Sequence, residues 1–210
     1  MSLELKHVQI TRKGQALFAP ICLNIFPGET ATVMGASGCG KSTLLSAICG
    51  SLSREFRLKG EILLKGHSIN PVPMERRNIG ILFQDDLLFP HMSIGSNLAF
   101  ALPPGMPRYL RDEKVKHALG QAGLEGFEDR DPATLSGGQR SRASLLRTLL
   151  ARPKALLLDE PFSRLDHGLK GQIREFVFDQ VKKMNIPALL VTHDPGDMAE
   201  GPLIDLTTHR

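Results

Sequence analysis

The chain has 210 residues, of which 41% are hydrophobic and 23% charged, enough to bury one sizeable core and a small satellite subdomain. Glycine (20) and proline (14) follow no Gly-x-y period, and no run approaches the roughly 18 consecutive apolar residues of a membrane span, so collagen-like, low-complexity and helical membrane classes are excluded. The net charge of +4 is spread over alternating acids and bases with no basic block, so nucleic acid is not an expected partner. The opening Met1-Ser2-Leu3-Glu4-Leu5-Lys6 lacks the apolar centre of a signal peptide, which predicts a cytoplasmic address. Cys22, Cys39 and Cys49 have neither paired number nor metal-ligand spacing and read as free thiols.

In chain order, residues 3–10 alternate as a strand and residues 21–26 form a second, antiparallel to it, closed by Pro27-Gly28. Residues 29–34 predict a buried strand that runs into a glycine-rich turn and then a helix over 42–49, stopped by Gly50. Residues 60–69 predict a hairpin turning at Lys65-Gly66, and 79–83 a short apolar strand ending at Gln84. From residue 94 to about 150 the pattern is helical, broken at Pro103-Pro104-Gly105 and Asp131-Pro132. Strands return at 155–158 and 188–192, separated by a helix near 171–183 whose Ile173, Phe176, Val177 and Val181 share one face. Short strands alternating with helices predict an α/β fold with a mostly parallel core sheet.

Gly35-Ala36-Ser37-Gly38-Cys39-Gly40-Lys41-Ser42 matches G-x-x-x-x-G-K-[ST], and it stands between a predicted strand and a predicted helix, where a phosphate loop must stand. Glycines let successive N–H groups face phosphate oxygens, and the helix start adds its positive end. Lys41 is then placed to bridge the β- and γ-phosphates and Ser42 to offer its hydroxyl to Mg²⁺, while Thr43 either steadies the first helical turn or contacts the α-phosphate. Downstream, the apolar strand Ala155-Leu156-Leu157-Leu158 delivers Asp159 and Glu160 to its carboxyl end, where open α/β sheets take ligands. Asp159 is the expected Mg²⁺ carboxylate. Glu160 is expected to accept a proton from the attacking water, or at least to orient it.

Between these lies Leu135-Ser136-Gly137-Gly138-Gln139, just before a long helix, and with the phosphate loop and Leu157-Leu158-Asp159-Glu160-Pro161 it resembles the nucleotide-binding subunits of ABC transporters. The resemblance runs from Leu3 to about Asp205. It implies a P-loop NTPase fold of the ABC ATPase type, with an antiparallel β subdomain. It also implies one domain over 1–210, with a catalytic core at 1–84 and 151–210 and a helical subdomain at about 85–150. It further implies ATP and Mg²⁺ as cofactors and a second copy of the chain whose Ser136, Gly137, Gly138 and Gln139 clasp the nucleotide held by the facing phosphate loop. Gln84 resembles the glutamine that approaches Mg²⁺, His193 the histidine that contacts the γ-phosphate and positions water, and Asp166 the aspartate at the dimer interface.

The segment 83–93, Phe83-Gln84-Asp85-Asp86-Leu87-Leu88-Phe89-Pro90-His91-Met92-Ser93, resembles bacterial importer subunits. That implies a peripheral position on the cytoplasmic face of the inner membrane, integral-membrane permease partners and a substrate-binding protein at the level of the complex. The apolar residues Leu87, Leu88 and Phe89 read either as a groove for a partner's helix or as subdomain core. The alternatives are a soluble non-transport ATPase of the same type and a small-molecule kinase, which would leave residues 135–139 unexplained. Two departures stand out. Arg164 replaces a usual small residue, and Thr11-Arg12-Lys13 stands where the family has an aromatic that stacks on adenine, which leaves stacking to Arg12, to Phe18 or to no side chain. Cys39, inside the loop, is an expected target for a thiol reagent that blocks nucleotide binding.

Overall fold

The computed structural model describes residues 2–163, 165 and 167–206. They form two compact units.

The first unit is drawn from the chain up to Ile81, Lys154–Glu160 and the part from Val177 on. Its parallel sheet has the order β10 (Leu203–Asp205), β4 (Thr30–Met34), β9 (Ala188–Thr192), β8 (Ala155–Asp159), β7 (Ile79–Leu82). The inner strands β4, β8 and β9 are buried along nearly their whole length, as strands covered on both faces must be. Its antiparallel sheet holds β1 (Leu3–Arg12), β2 (Gln15–Ala16), β3 (Ile21–Ile25), β5 (Phe56–Leu64) and β6 (His67–Ser68), with β2 and β3 on one side of β1 and β5 on the other. Helix α1 (Lys41–Cys49) packs Leu44, Leu45 and Ile48 into the same core as Ile10, Ile62, Val33 and Val191.

Four elements differ from the sequence reading. The strand expected from residue 60 starts at Phe56, because Phe56 and Leu58 continue the alternation past the charged Arg57 and Lys59. β2 and β10, two and three residues long, are too short to carry a period. The last helix starts at His167, earlier than expected.

In β1 the apolar set changes parity, from Leu3 and Leu5 to Val8 and Ile10. An extra residue in β1 causes this: Lys6 pairs with Glu61 and Gln9 with Lys59, so three steps on β1 face two on β5, and β3 shows the same offset. This is a β-bulge. His7 has φ 50° and the facing Gly60 φ 84°. A Cβ at Gly60 would fall onto the carbonyl oxygens of Lys6 and His7, so glycine is required twice over there.

Arg77 closes the far end of α1. Its buried guanidinium donates to the carbonyls of Ala47 (2.9 Å) and Ile48 (2.7 Å), which the helix end leaves unpaired, and to those of Val72 (2.8 Å) and Asn70 (3.2 Å) in the loop after β6. Burial lowers its pKa, with the charge held by these acceptors.

The second unit comprises Leu82–Pro153 and Pro161–Phe176. Helices α2 (Ile94–Phe100), α3 (Arg108–Gln121) and α4 (Gly137–Leu150) share a core of Ile94, Leu98, Leu119, Leu124, Ala143 and Leu146. Asp131 caps the turn Pro132–Thr134 by accepting from the Ala133 N–H (2.8 Å). Helix α5 (His167–Met184) enters this unit through its first half and buries Ile173, Val177 and Val181, with Phe176 packed against the helical core.

Candidate functional site

Strand register assembles the site in the first unit. Met34 pairs with Thr192 and Asp159 with Val191, so β4 and β9 end level, β8 ends one residue short of them, and their next residues, Gly35, His193 and Glu160, emerge at the same edge of the sheet. Open parallel sheets bind ligands at this end.

The loop from Gly35 to Gly40 leads from β4 into α1, whose N-cap Gly40 has φ 104° and offers no side-chain cap, with no acid in the first turn. The first amides of the helix therefore have no carboxylate or hydroxyl of their own in competition with an incoming anion. Ala36, Ser37 and Gly38 form its exposed rim. Lys41 is buried, with Nζ donating to the Gly35 (2.7 Å) and Ala36 (3.2 Å) carbonyls and standing 3.8 Å from Glu160 Oε1. Ser42 Oγ donates to Asp159 Oδ1 at 3.2 Å. Burial pushes the Asp159 carboxyl up from its ordinary range, opposed by the Ser42 hydroxyl, reinforced by neighbouring Glu160 and opposed by Lys41.

Glu160 has φ 46°, a sparsely populated conformation for a residue with a Cβ, and its N–H donates to the Val191 carbonyl at 3.0 Å. This bend points the carboxylate at His193, whose Nδ1 lies 3.0 Å from Glu160 Oε1. A carboxylate only accepts, so a hydrogen bond here requires the proton on Nδ1. The turn bearing His193 is braced from behind: buried Thr192 donates to Asp197 Oδ2 (3.2 Å) and accepts from the Asp194 N–H (3.0 Å). These bracing residues carry no motif that the sequence reading could use.

Cys39 corrects an expectation. It is 6% exposed, with its sulfur packed against the Cα side of Gly35, so it is no ready target for a reagent. Cys49 is likewise buried, and burial raises its thiol pKa. Iodoacetamide under native conditions should therefore modify Cys22, the exposed thiol, with Cys39 and Cys49 reacting only in denaturant. Peptide mapping by mass spectrometry checks this, and native labelling of Cys39 as fast as Cys22 would refute it.

The other expected residues lie in the second unit. Ser136 caps α4 in a reciprocal box, its Oγ accepting from the Gln139 N–H (3.3 Å) and Gln139 Oε1 accepting from the Ser136 N–H (3.0 Å). Ser-x-x-Gln is itself the legible signal for that box. Gly137 and Gly138 form the first turn of α4, and Gln84 stands exposed just past β7. Arg164 and Asp166 lie outside the described residues.

The same unit holds a network that sequence reasoning missed. Asp86 accepts from Ser141 Oγ (2.8 Å) and Arg140 Nε (3.2 Å), and its carbonyl accepts from Ser144 Oγ (2.6 Å). Beyond it an open cleft of about 340 Å³ is lined by Leu87, Phe89, Phe100, Ala101 and Arg147. Leu87 (56%) and Phe100 (65%) are exposed. Phe89 stacks edge-on against Phe100 at 5.1 Å, and Arg147 lies over its ring at 5.2 Å. Leu88, by contrast, packs against the helical core, so of the apolar run 87–89 it is Leu88 that takes the place in the subdomain core.

A phosphate loop, an acid pair at a strand end and a histidine hydrogen-bonded to the second acid define a nucleoside-triphosphate hydrolase of the P-loop class. Comparison with known proteins narrows this. The family model described as ABC transporter matches residues 18–163. The uncharacterized ABC transporter ATP-binding protein YnjD of Escherichia coli K12 is 47% identical over 96% of this chain and 93% of its own. The Fe(3+) ions import ATP-binding protein FbpC (38%) and the putrescine transport ATP-binding protein PotG (39%) of the same organism match 92% and 91% of the chain. The chain spans only about half of each of these two, 55% and 50%. Among solved structures, the ATP-binding cassette MJ0796, a dimer in a post-hydrolysis state with ADP and Pi, superposes with a TM-score of 0.81 at 28% identity, covering 97% of this chain and 94% of that one. The chain belongs to the ATP-binding subunits of ABC transporters and has the fold of an ABC ATPase.

Proposed function

We propose that this protein is the ATP-hydrolysing subunit of a bacterial importer, a single ATPase domain that works as an ATP-closed homodimer on the cytoplasmic face of the inner membrane. The observation that carries the reading is the set at the strand ends: Glu160 bent toward His193 at 3.0 Å and Lys41 at 3.8 Å, with Ser42 on Asp159 at 3.2 Å. The phosphates of ATP lie on the amides of Gly35 to Thr43 with Lys41 as their counter-charge. Glu160 takes the proton of the attacking water and His193 orients it.

The donor set of the first unit suits Mg²⁺: Ser42 hydroxyl and Asp159 carboxylate are hard oxygens, 3.2 Å apart. When bound, Mg²⁺ neutralises charge on the phosphates.

Ser136 to Gln139 of one copy complete the site of the other through the capped start of α4. The cleft of Leu87, Phe89 and Phe100 receives a helix of the permease, an amphipathic element whose apolar side covers exposed aromatic surface. A substrate-binding protein joins at the level of the complex. FbpC and PotG carry Fe(3+) and putrescine in their names, which supports import of a small cationic solute.

Light scattering with phosphate release tests the reading. The parent chain should hydrolyse ATP and pass through a dimer only with Mg-ATP present. Hydrolysis by a strict monomer would instead favour a stand-alone ATPase, and phosphate appearing on a trapped acceptor would favour a kinase.

A further inference from the structure

Thr192 ends β9, a strand otherwise made of Ala188, Leu189, Leu190 and Val191 and buried throughout. A valine would fill nearly the same space with no polar atom to satisfy; the threonine brings a hydroxyl that must be bonded. Its oxygen accepts from the Asp194 N–H at 3.0 Å, closing a short turn of backbone across His193, and its hydrogen goes to Asp197 Oδ2 at 3.2 Å. Thr192 (1% exposed) and Asp197 (2%) are both shut away from water, where such bonds are strong.

The carboxylate is not what keeps this segment folded. The Asp197 N–H donates to the Asp194 carbonyl (3.1 Å), the Gly196 N–H to Asp194 Oδ1 (2.8 Å) and the Ala199 N–H to Thr32 Oγ1 (3.1 Å). These bonds close the turn Pro195–Asp197 and tie the segment after it to β4, the strand that leads into the phosphate loop. What the carboxylate adds is direction. A hydroxyl rotates about its C–O bond, and a fixed acceptor for its hydrogen keeps a lone pair facing the Asp194 amide. His193 is the residue enclosed by that bond, and its Nδ1 stands 3.0 Å from Glu160 Oε1.

We infer that Asp197 is a positioning residue for ATP hydrolysis, acting through the Thr192 hydroxyl to hold the His193 imidazole against Glu160. Buried behind the strand end, it acts at one remove from the reacting atoms. This role presupposes the catalytic reading of His193, and His193→Ala separates the two.

Single-turnover phosphate release and ATP titration of the full chain make the test. Thr192→Val, which keeps the shape and removes the hydroxyl, should slow release about 10- to 100-fold, the loss that a misplaced group brings, with ATP affinity changed by less than about twofold. Thr192→Ser should restore release to within about threefold of the parent, since a serine hydroxyl closes the same turn. Asp197→Ala should match Thr192→Val, and the double variant should lose no more than either, because both break one bond. In the His193→Ala background neither substitution should slow release further. Asp197→Asn, with the volume kept and a weaker acceptor, should fall between Asp197→Ala and the parent, and its loss should vanish in the same background, which decides the matter even where a truncation does not fold. Parental release by Thr192→Val or Asp197→Ala, affinity falling in step with release, or losses that persist in His193→Ala would overturn the positioning role while leaving His193 its part. Parental release by His193→Ala would overturn the part of the histidine and that of Asp197 with it.

Discussion

Glu160→Gln is expected to release phosphate about 10²- to 10⁴-fold more slowly than the parent, the range over which a positioned general base acts, while ATP binding survives and the dimer accumulates. The substitution is nearly isosteric, so the bend at φ 46° and the bond from the Glu160 N–H to Val191 are kept. The amide oxygen can still accept from His193 Nδ1, so the histidine keeps its orientation. What is lost is the negative charge near Lys41 and the capacity to take a proton from water. Binding, which relies on the loop and on Lys41, is left in place, and with hydrolysis stopped the ATP-bound dimer has no exit. Single-turnover phosphate release and light scattering in Mg-ATP check both halves. Hydrolysis at the parental rate would remove Glu160 from its role, and failure to dimerise would separate the chemistry from subunit closure.

The largest expected loss of stability is at Gly60→Ala, about 4 kcal/mol or more, enough to leave little folded chain. The new methyl must displace two backbone carbonyls, those of Lys6 and His7, in the middle of the β1–β5 pairing, and the φ of 84° disfavours any Cβ besides. Gly66→Ala is the control that separates these causes. Gly66 has φ 76° and open space around its Cβ position, so it should cost only about 1–2 kcal/mol, the conformational part alone. Urea unfolding of both variants measures the gap, and equal costs would mean that contact at the bulge contributes nothing.

Much of this site was legible because its chemistry is written in contiguous residues. A strand, a glycine loop and a helix in succession placed Lys41 and Ser42, and an apolar strand placed Asp159 and Glu160. The ending of β4, β8 and β9 within one residue of one another, and hence the meeting of Glu160 with His193, is a matter of register between distant segments, which local periodicity does not encode. The same holds for Asp86, whose partners Ser141 and Ser144 sit more than fifty residues away. Residue type alone misjudged Cys39, because reactivity depends on packing around Gly35. The parity change in β1 was present in the order Leu3, Leu5, Val8, Ile10, and only its meaning, which of Arg12 and Lys13 continues the inner face, required the partner strands.

The Asp86 network has a mechanical side. Its side chain and carbonyl fasten the loop to three residues on two successive turns of α4, and Arg147 adds a fourth fastening through the Leu87 carbonyl at 2.9 Å. The lip of the cleft is thereby riveted to the helix whose first turn is Gly137 and Gly138. A load on Leu87 or Phe89 has no slack loop in which to dissipate. It is passed along a stiff rod of fourteen residues, so that lip and helix start are displaced together, as the two ends of one lever.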